Sequence, residues 1–279
     1  MTITPPGAPP GMPPNHPEGL PPNVPPVPLY PHNRVRRHLS ELFRLALPVV
    51  IARLGMLIMS VVDTIVVGNY DSASLAYLNI AHAPFTSLMV TGIGLLTGVM
   101  ILTSHSVGRN NLLEAGQTWR ACLPYGMLIG IAFMLVTWKS EWLFIATGQP
   151  EDITEHASNL SVILSIGMPA AMVYIVCSFF LEGLQRPLPG MMLMIGANFI
   201  NLVLDYGLVY GAFGFPEMGA EGAAWTSTVI RWLMAISLLG YILLMRYFMY
   251  GGGVAGAGLV VGLIVPHLPR RRKKRDRWF

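Results

Sequence analysis

Two aspartates, Asp63 and Asp205, lie inside long apolar runs, and their type and placement suit them to chemistry. An ionised side chain deep in hydrocarbon is costly, so it is kept there by a proton, a bound cation, a partner or a water-filled cavity. Asn201 stands four residues before Asp205 and therefore on the same helix face, with Asn198 about one turn earlier. Carboxylates beside amide oxygens can take up and release protons, or hold a hard cation such as Na+. They can also simply lock two helices together. The residues by themselves leave these three readings open.

Other candidates are fewer. Arg53 falls near the middle of the first apolar run, ten residues from Asp63, and Arg231 falls in the outer half of the last, near the depth of Asp205. A structural ion pair is the expected role for each. His82 and His105 lie towards opposite ends of the second run, without the spacing of a metal site. Tyr77, Phe85, Tyr125, Tyr174, Phe179 and Phe180 can line an apolar cavity or pack in the interior, and Tyr174 is carried forward with Asn198 as a weak substrate-lining candidate. Cys122 and Cys177 read as small packing residues. No nucleophile elbow, phosphate-binding glycine loop or zinc-protease motif occurs, so an enzyme is not expected and no cofactor is called for. The intramembrane aspartyl protease pattern also fails, because Asp63 follows Val62 and Asp205 follows Leu204.

The elements that must position these residues are membrane spans. The chain is 53% hydrophobic and only 11% charged, and its mean hydropathy is +0.54. A soluble domain carries about 25% charged residues, so water cannot be the solvent for most of this surface. Crossing about 30 Å of hydrocarbon takes about 20 apolar residues. Six segments suffice, at about 45–68, 75–104, 117–138, 157–182, 189–212 and 222–248. Polar connectors such as Asn69–Ser74, Gly108–Gly116 and Gly214–Gly219 separate some of them. The expected fold is an all-α membrane protein, a six-transmembrane-helix bundle over residues 40–249.

Orientation follows from the basic residues. With the N-terminus inside, Arg109, Arg120, Arg186 and Arg246 fall on inner connectors or ends. The outer side then receives Lys139 with Asp71, Glu141, Glu151, Asp152, Glu155, Glu217 and Glu221. Both termini are expected in the cytoplasm of a multi-pass plasma (inner) membrane protein. Spans one and five then run in the same direction. Asp63 and Asp205 lie at similar depth, about 8–11 Å below the outer boundary at about 1.5 Å per residue, and can meet in one pocket.

Residues 1–33 hold thirteen of the 23 prolines and read as a disordered cytoplasmic tail. Residues 250–279 read as a Gly-rich and basic cytoplasmic tail, whose RRRKKR cluster suits anionic lipid rather than nucleic acid. The abrupt change of texture there is what a shifted reading frame would produce, and resequencing the locus tests that.

Four stretches, LALPVVIARLGMLIMSVVDTIVVGNYDSASLA (45–76), GLLTGVMILTSHSVGRNN (94–111), SFFLEGLQRPLPGMM (178–192) and NFINLVLDYGLVYGAFGFPEMGAEGAAWTST (198–228), resemble the multidrug and toxic compound extrusion (MATE) family. The resemblance covers about residues 40–248, one six-helix lobe of a two-lobe transporter. It implies secondary active efflux of organic, often cationic, compounds by antiport of protons or sodium ions. It places the cation site on Asp63, Asn201 and Asp205, with Thr226 and Ser227 beside them. His105 and Glu182 depart from the family pattern, and Arg53 is a charge that the pattern lacks. The implied partners are small organic substrates, membrane lipid, and either a second copy or a separately encoded second lobe. The competing readings are a non-transporting truncated remnant and a flippase of lipid-linked precursors.

Overall fold

The computed structural model of the chain describes residues 32–250. The expectations for residues 1–31 and 251–279, including the disordered tail and the shifted reading frame, lie outside the described residues. Among the described residues, eight α-helices follow in chain order: α1 His32–Tyr70, α2 Ser72–Gly108, α3 Leu112–Trp138, α4 Ser140–Ala146, α5 Glu151–Ile166, α6 Met168–Gly183, α7 Leu188–Tyr210 and α8 Ala220–Tyr250. A 3₁₀ turn at Ala212–Gly214 lies between the last two. The chain divides into two units, the first ending at Arg44 and the second beginning at Leu45. Among the described residues the first consists of the start of α1. The second contains the helical bundle.

Five of these helices are long and apolar enough to cross a bilayer, and the pair α5 and α6 makes a sixth span bent by 41°. Span four is therefore not the continuous 157–182 segment expected from hydropathy. It begins at Glu151 and breaks at Gly167. Pro169 has no N–H to continue the hydrogen-bond ladder, which explains the position of the break. Two carbonyls near the end of α5 find donors on α8. Thr228 Oγ1 donates to Ile163 O at 2.9 Å, and Trp232 Nε1 donates to Ile166 O at 3.1 Å. Irregular backbone at membrane depth is tolerated when neighbours satisfy it in this way. The short helix α4, in the connector between α3 and α5, is a second departure from the expected elements.

Helix α6 is the centre of the bundle, buried along almost its whole length. Small residues bring its neighbours close, as expected where lipid supplies no hydrophobic drive for helix association. A Cβ added at Gly130 of α3 would collide with Pro169 Cα, and one at Gly183 would lie 2.7 Å from Thr103 Cβ. Trp119 stacks on Phe180 with ring centroids 5.5 Å apart. Large apolar side chains such as Leu57, Leu95, Leu128, Phe199 and Leu244 are exposed, in the pattern of a lipid-facing or protein-facing surface.

Two polar residues start helices at the connectors. Asp71 caps α2 by accepting from Ser74 N at 2.8 Å, and this bond holds its carboxyl below the usual range. Asn111 caps α3, accepting from Glu114 N at 3.2 Å. At the α7–α8 turn, Tyr70 Oη donates to Glu217 Oε1 at 2.9 Å. Tyr210 Oη donates to Val66 O at 2.9 Å. These contacts pin the end of α1, and with it Asp63, against α7 and the turn that leads to α8.

Candidate functional site

The two acids meet, as their similar depth allows. Asp63 on α1, Asp205 on α7 and Asn201, one turn before Asp205, are all buried. Asn201 bridges the acids: its Nδ2 donates to Asp63 Oδ1 at 3.3 Å and to Asp205 Oδ2 at 3.0 Å. Ser227 Oγ donates to Asp63 Oδ2 at 2.8 Å. Thr226 is also buried, but its hydroxyl donates to Gly222 O within its own helix at 3.0 Å. Asp205 Oδ1 and Asn201 Oδ1 have no hydrogen-bond partner. Two acceptors are thus left unmet in a buried cluster that already contains two carboxyl groups. Such a cluster suits a proton or a hard cation. No group of three or more His, Cys, Asp or Glu placed to hold a metal ion occurs among the described residues.

Asp63 also faces a cavity of about 260 Å³, whose lining includes Met56, His82, Phe85, Tyr174, Met194 and Arg231. A second, more polar cavity of about 250 Å³ shares Ser60, Asp63, His82 and Thr86 with the first. Tyr174 therefore lines the cavity, whereas Asn198 is not among its lining residues. Asn198 Nδ2 instead donates to Gly55 O at 3.1 Å and to Met194 O at 2.9 Å, tying α7 to α1. His82 joins the site although its sequence spacing gave it no role there. It lies about ten residues from the Ser72 end of α2, and Asp63 about seven from the Tyr70 end of α1, so comparing depths across all spans finds it.

The two arginines differ. Arg53 Nη2 lies 3.2 Å from Glu182 Oε1, so the expected ion pair is present. Ser178 Oγ donates to the same carboxylate oxygen at 3.0 Å. Two departures from the family pattern thus compensate one another. Arg231 corrects the expectation: it makes no ion pair among the described residues, and its guanidinium lies 4.2 Å from the Phe85 ring centroid. At the same depth as Asp205, it turns instead toward α2 and the break in span four.

The Arg53–Glu182 pair gives a testable stability effect. The Arg53 side chain is 32% exposed, which weakens the pair relative to a fully buried one. Arg53→Leu leaves the Glu182 carboxylate with Ser178 alone and is expected to cost about 1–3 kcal/mol. Melting of Arg53→Leu, Glu182→Leu and the double variant in detergent should show the double variant more stable than the summed single losses predict. Strict additivity would show that the pair contributes nothing.

The fold and the buried acid cluster define a multi-pass, all-α membrane protein. The family model described as MatE matches residues 48–207, and the chain belongs to that family. It is 34% identical over 221 residues to a "Probable multidrug resistance protein NorM" of Caulobacter vibrioides, covering 79% of this chain and 47% of that protein. It is 33% identical over 221 residues to "Multidrug resistance protein PmpM" of Pseudomonas aeruginosa, covering 77% and 46% respectively. Among solved structures, the eukaryotic MATE transporter AtDTX14 aligns with a TM-score of 0.68 at 20% identity, covering 80% of this chain and 48% of that one. An outward-facing multidrug resistance MATE family transporter aligns with a TM-score of 0.67 at 19% identity, covering 74% and 45%. The chain spans about half the length of the curated relatives it matches.

Proposed function

We propose that this lobe serves secondary active efflux of organic, often cationic, compounds in exchange for protons or sodium ions. Asp63, Asn201 and Asp205, with Ser227 and Thr226 beside them, form the coupling-ion site in this reading. The observation that carries it is the bridged acid pair, with Asp205 Oδ1 and Asn201 Oδ1 left without partners. Asp63 belongs both to this cluster and to the wall of the cavity. A coupling ion on the cluster and a cationic substrate in the cavity therefore compete for one negative charge. Such competition is a basis for exchange.

A single lobe supplies one wall of a pathway. The second wall comes from another six-helix unit, and rocking of the two gives alternating access. The distribution of basic residues supports both termini in the cytoplasm of the inner membrane.

Proteoliposomes containing the full chain test this reading. Ethidium movement should follow an imposed proton or sodium gradient and stop when the gradient is dissipated. Movement indifferent to both gradients overturns coupled antiport, and no movement with or without an added second lobe favours a non-transporting lobe.

A further inference from the structure

We propose that the furrow between α3 and α8 seats an anionic phospholipid, with its phosphate between Arg120 and Arg186 and an acyl chain laid along α6. The furrow is separate from the acid cluster, and none of its lining residues borders the cavities beside Asp63. Helices α3 and α8 both pack on α6, which forms the floor between them. Ala170 on the floor and Ala235 on the α8 wall are buried, and side chains this small leave a hollow of about 330 Å³. Leu123, Met127, Trp232 and Leu239 line it. Where α3 begins and α6 ends, a second hollow of about 270 Å³ brings Arg120 and Arg186 together with the stacked rings of Trp119 and Phe180. The two hollows are successive, because Leu123 follows Arg120 and Ile242 follows Leu239 by about one helical turn each.

The depth of the charged end suits a lipid headgroup. About 27 Å of helical rise separates Arg120 from Trp138 at the far end of α3, close to the hydrocarbon thickness of about 30 Å. Trp138 is exposed, as an interfacial aromatic is. Arg120 therefore lies at the opposite headgroup level, and the hollow beside Leu123 and Met127 lies in the acyl layer. Both guanidiniums are available, since neither Arg120 nor Arg186 makes an ion pair among the described residues. Glu114, the one acid of α3, is engaged by Arg109 at 3.9 Å and by Asn111 Nδ2 at 3.0 Å. Arg186 is fixed by the turn that ends α6, where its backbone N–H donates to Leu181 O at 2.9 Å and Gln185 takes a φ of 58°. Its Nη1 donates only to Met245 Sδ, at 3.7 Å, a weak acceptor that a phosphate oxygen would replace. Two forked donors complement one phosphodiester charge. A zwitterionic lipid would bring its ammonium group into the same positive hollow.

Native mass spectrometry of the purified full chain in detergent tests the proposal, with dioleoylphosphatidylglycerol and dioleoylphosphatidylcholine supplied in equal amounts. Wild type should retain the anionic lipid about tenfold over the zwitterionic one. Joint replacement Arg120→Gln and Arg186→Gln should remove most of that preference. Arg109→Gln, at the same end of the bundle but outside the furrow, should keep it. A large excess of inorganic phosphate should leave the lipid bound, because phosphate has no chain to occupy the furrow. Equal retention of the two lipids by wild type overturns the proposal without any variant. A preference that survives the joint replacement also overturns it, since the lipid is then held elsewhere. So does an equal loss in Arg109→Gln, which would make net charge the cause. Displacement of the lipid by phosphate overturns it in favour of a free-anion site.

Discussion

Asp205→Asn is expected to yield a folded protein that has lost its ion response. Asp205 is wholly buried, and its Oδ2 accepts from Asn201. An asparagine of nearly the same shape keeps an oxygen for that bond, so the packing of α7 is retained. What disappears is the charge that a proton or cation would neutralise. Replacing a buried ionic group by a neutral one of similar volume is often neutral or stabilising, so the variant should melt at or above the wild-type temperature. Removing one carboxylate from the cluster should weaken cation affinity by about two orders of magnitude, the equivalent of about 3 kcal/mol. Two measurements check this. Gradient-driven substrate movement should fall to the level of empty liposomes, and any rise in melting temperature on adding the coupling ion should vanish. Asp63→Asn should behave likewise. Wild-type coupling in both variants would remove these acids from the mechanism.

Gly130→Leu should prevent assembly of the bundle. The problem begins at the first added carbon, which would collide with Pro169 Cα and lie 2.9 Å from Met168 O. These are backbone atoms, so no rotamer change relieves the clash. Even alanine, which gains about 1 kcal/mol of helix propensity over glycine, must separate α3 from α6. Overpacking of this kind costs about 1–3 kcal/mol or more, so the steric effect outweighs the gain. Gly130→Ala should lower the melting temperature by several degrees, and Gly130→Leu should elute as aggregate on size exclusion. Gly98→Leu is the control, because nothing lies within 4 Å of a Cβ added there. A Gly130→Leu protein that is monodisperse and melts like wild type would show that α3 and α6 do not pack this closely.

The acid pair is legible in the sequence because helical rise converts position into depth, and similar depth allows Asp63 and Asp205 to meet. Depth does not give azimuth. Arg231 shares the level of Asp205 but points towards Phe85, so the expected ion pair does not form. The break in span four escapes a reading based on hydropathy, since Gly167 and Pro169 interrupt an apolar run without making it less apolar. Those two residues are themselves a backbone signal. What makes the break tolerable is tertiary: Thr228 and Trp232 belong to a helix 65 and 66 residues away from the carbonyls they satisfy. Arg53 and Glu182 are visible as separate anomalies, and only the fold shows that they answer one another.

The adjacency of Ser227 and Thr228 gives the broken span a mechanical role. One hydroxyl holds Asp63 on α1, and the next holds the Ile163 carbonyl near the end of α5. A single peptide unit of α8 thus ties the acid cluster to the α5 part of span four. If α5 swings at Gly167 while its bond to Thr228 holds, the load passes through that peptide to the hydroxyl on Asp63. Conversely, a displacement of Asp63 would pass along the same short link.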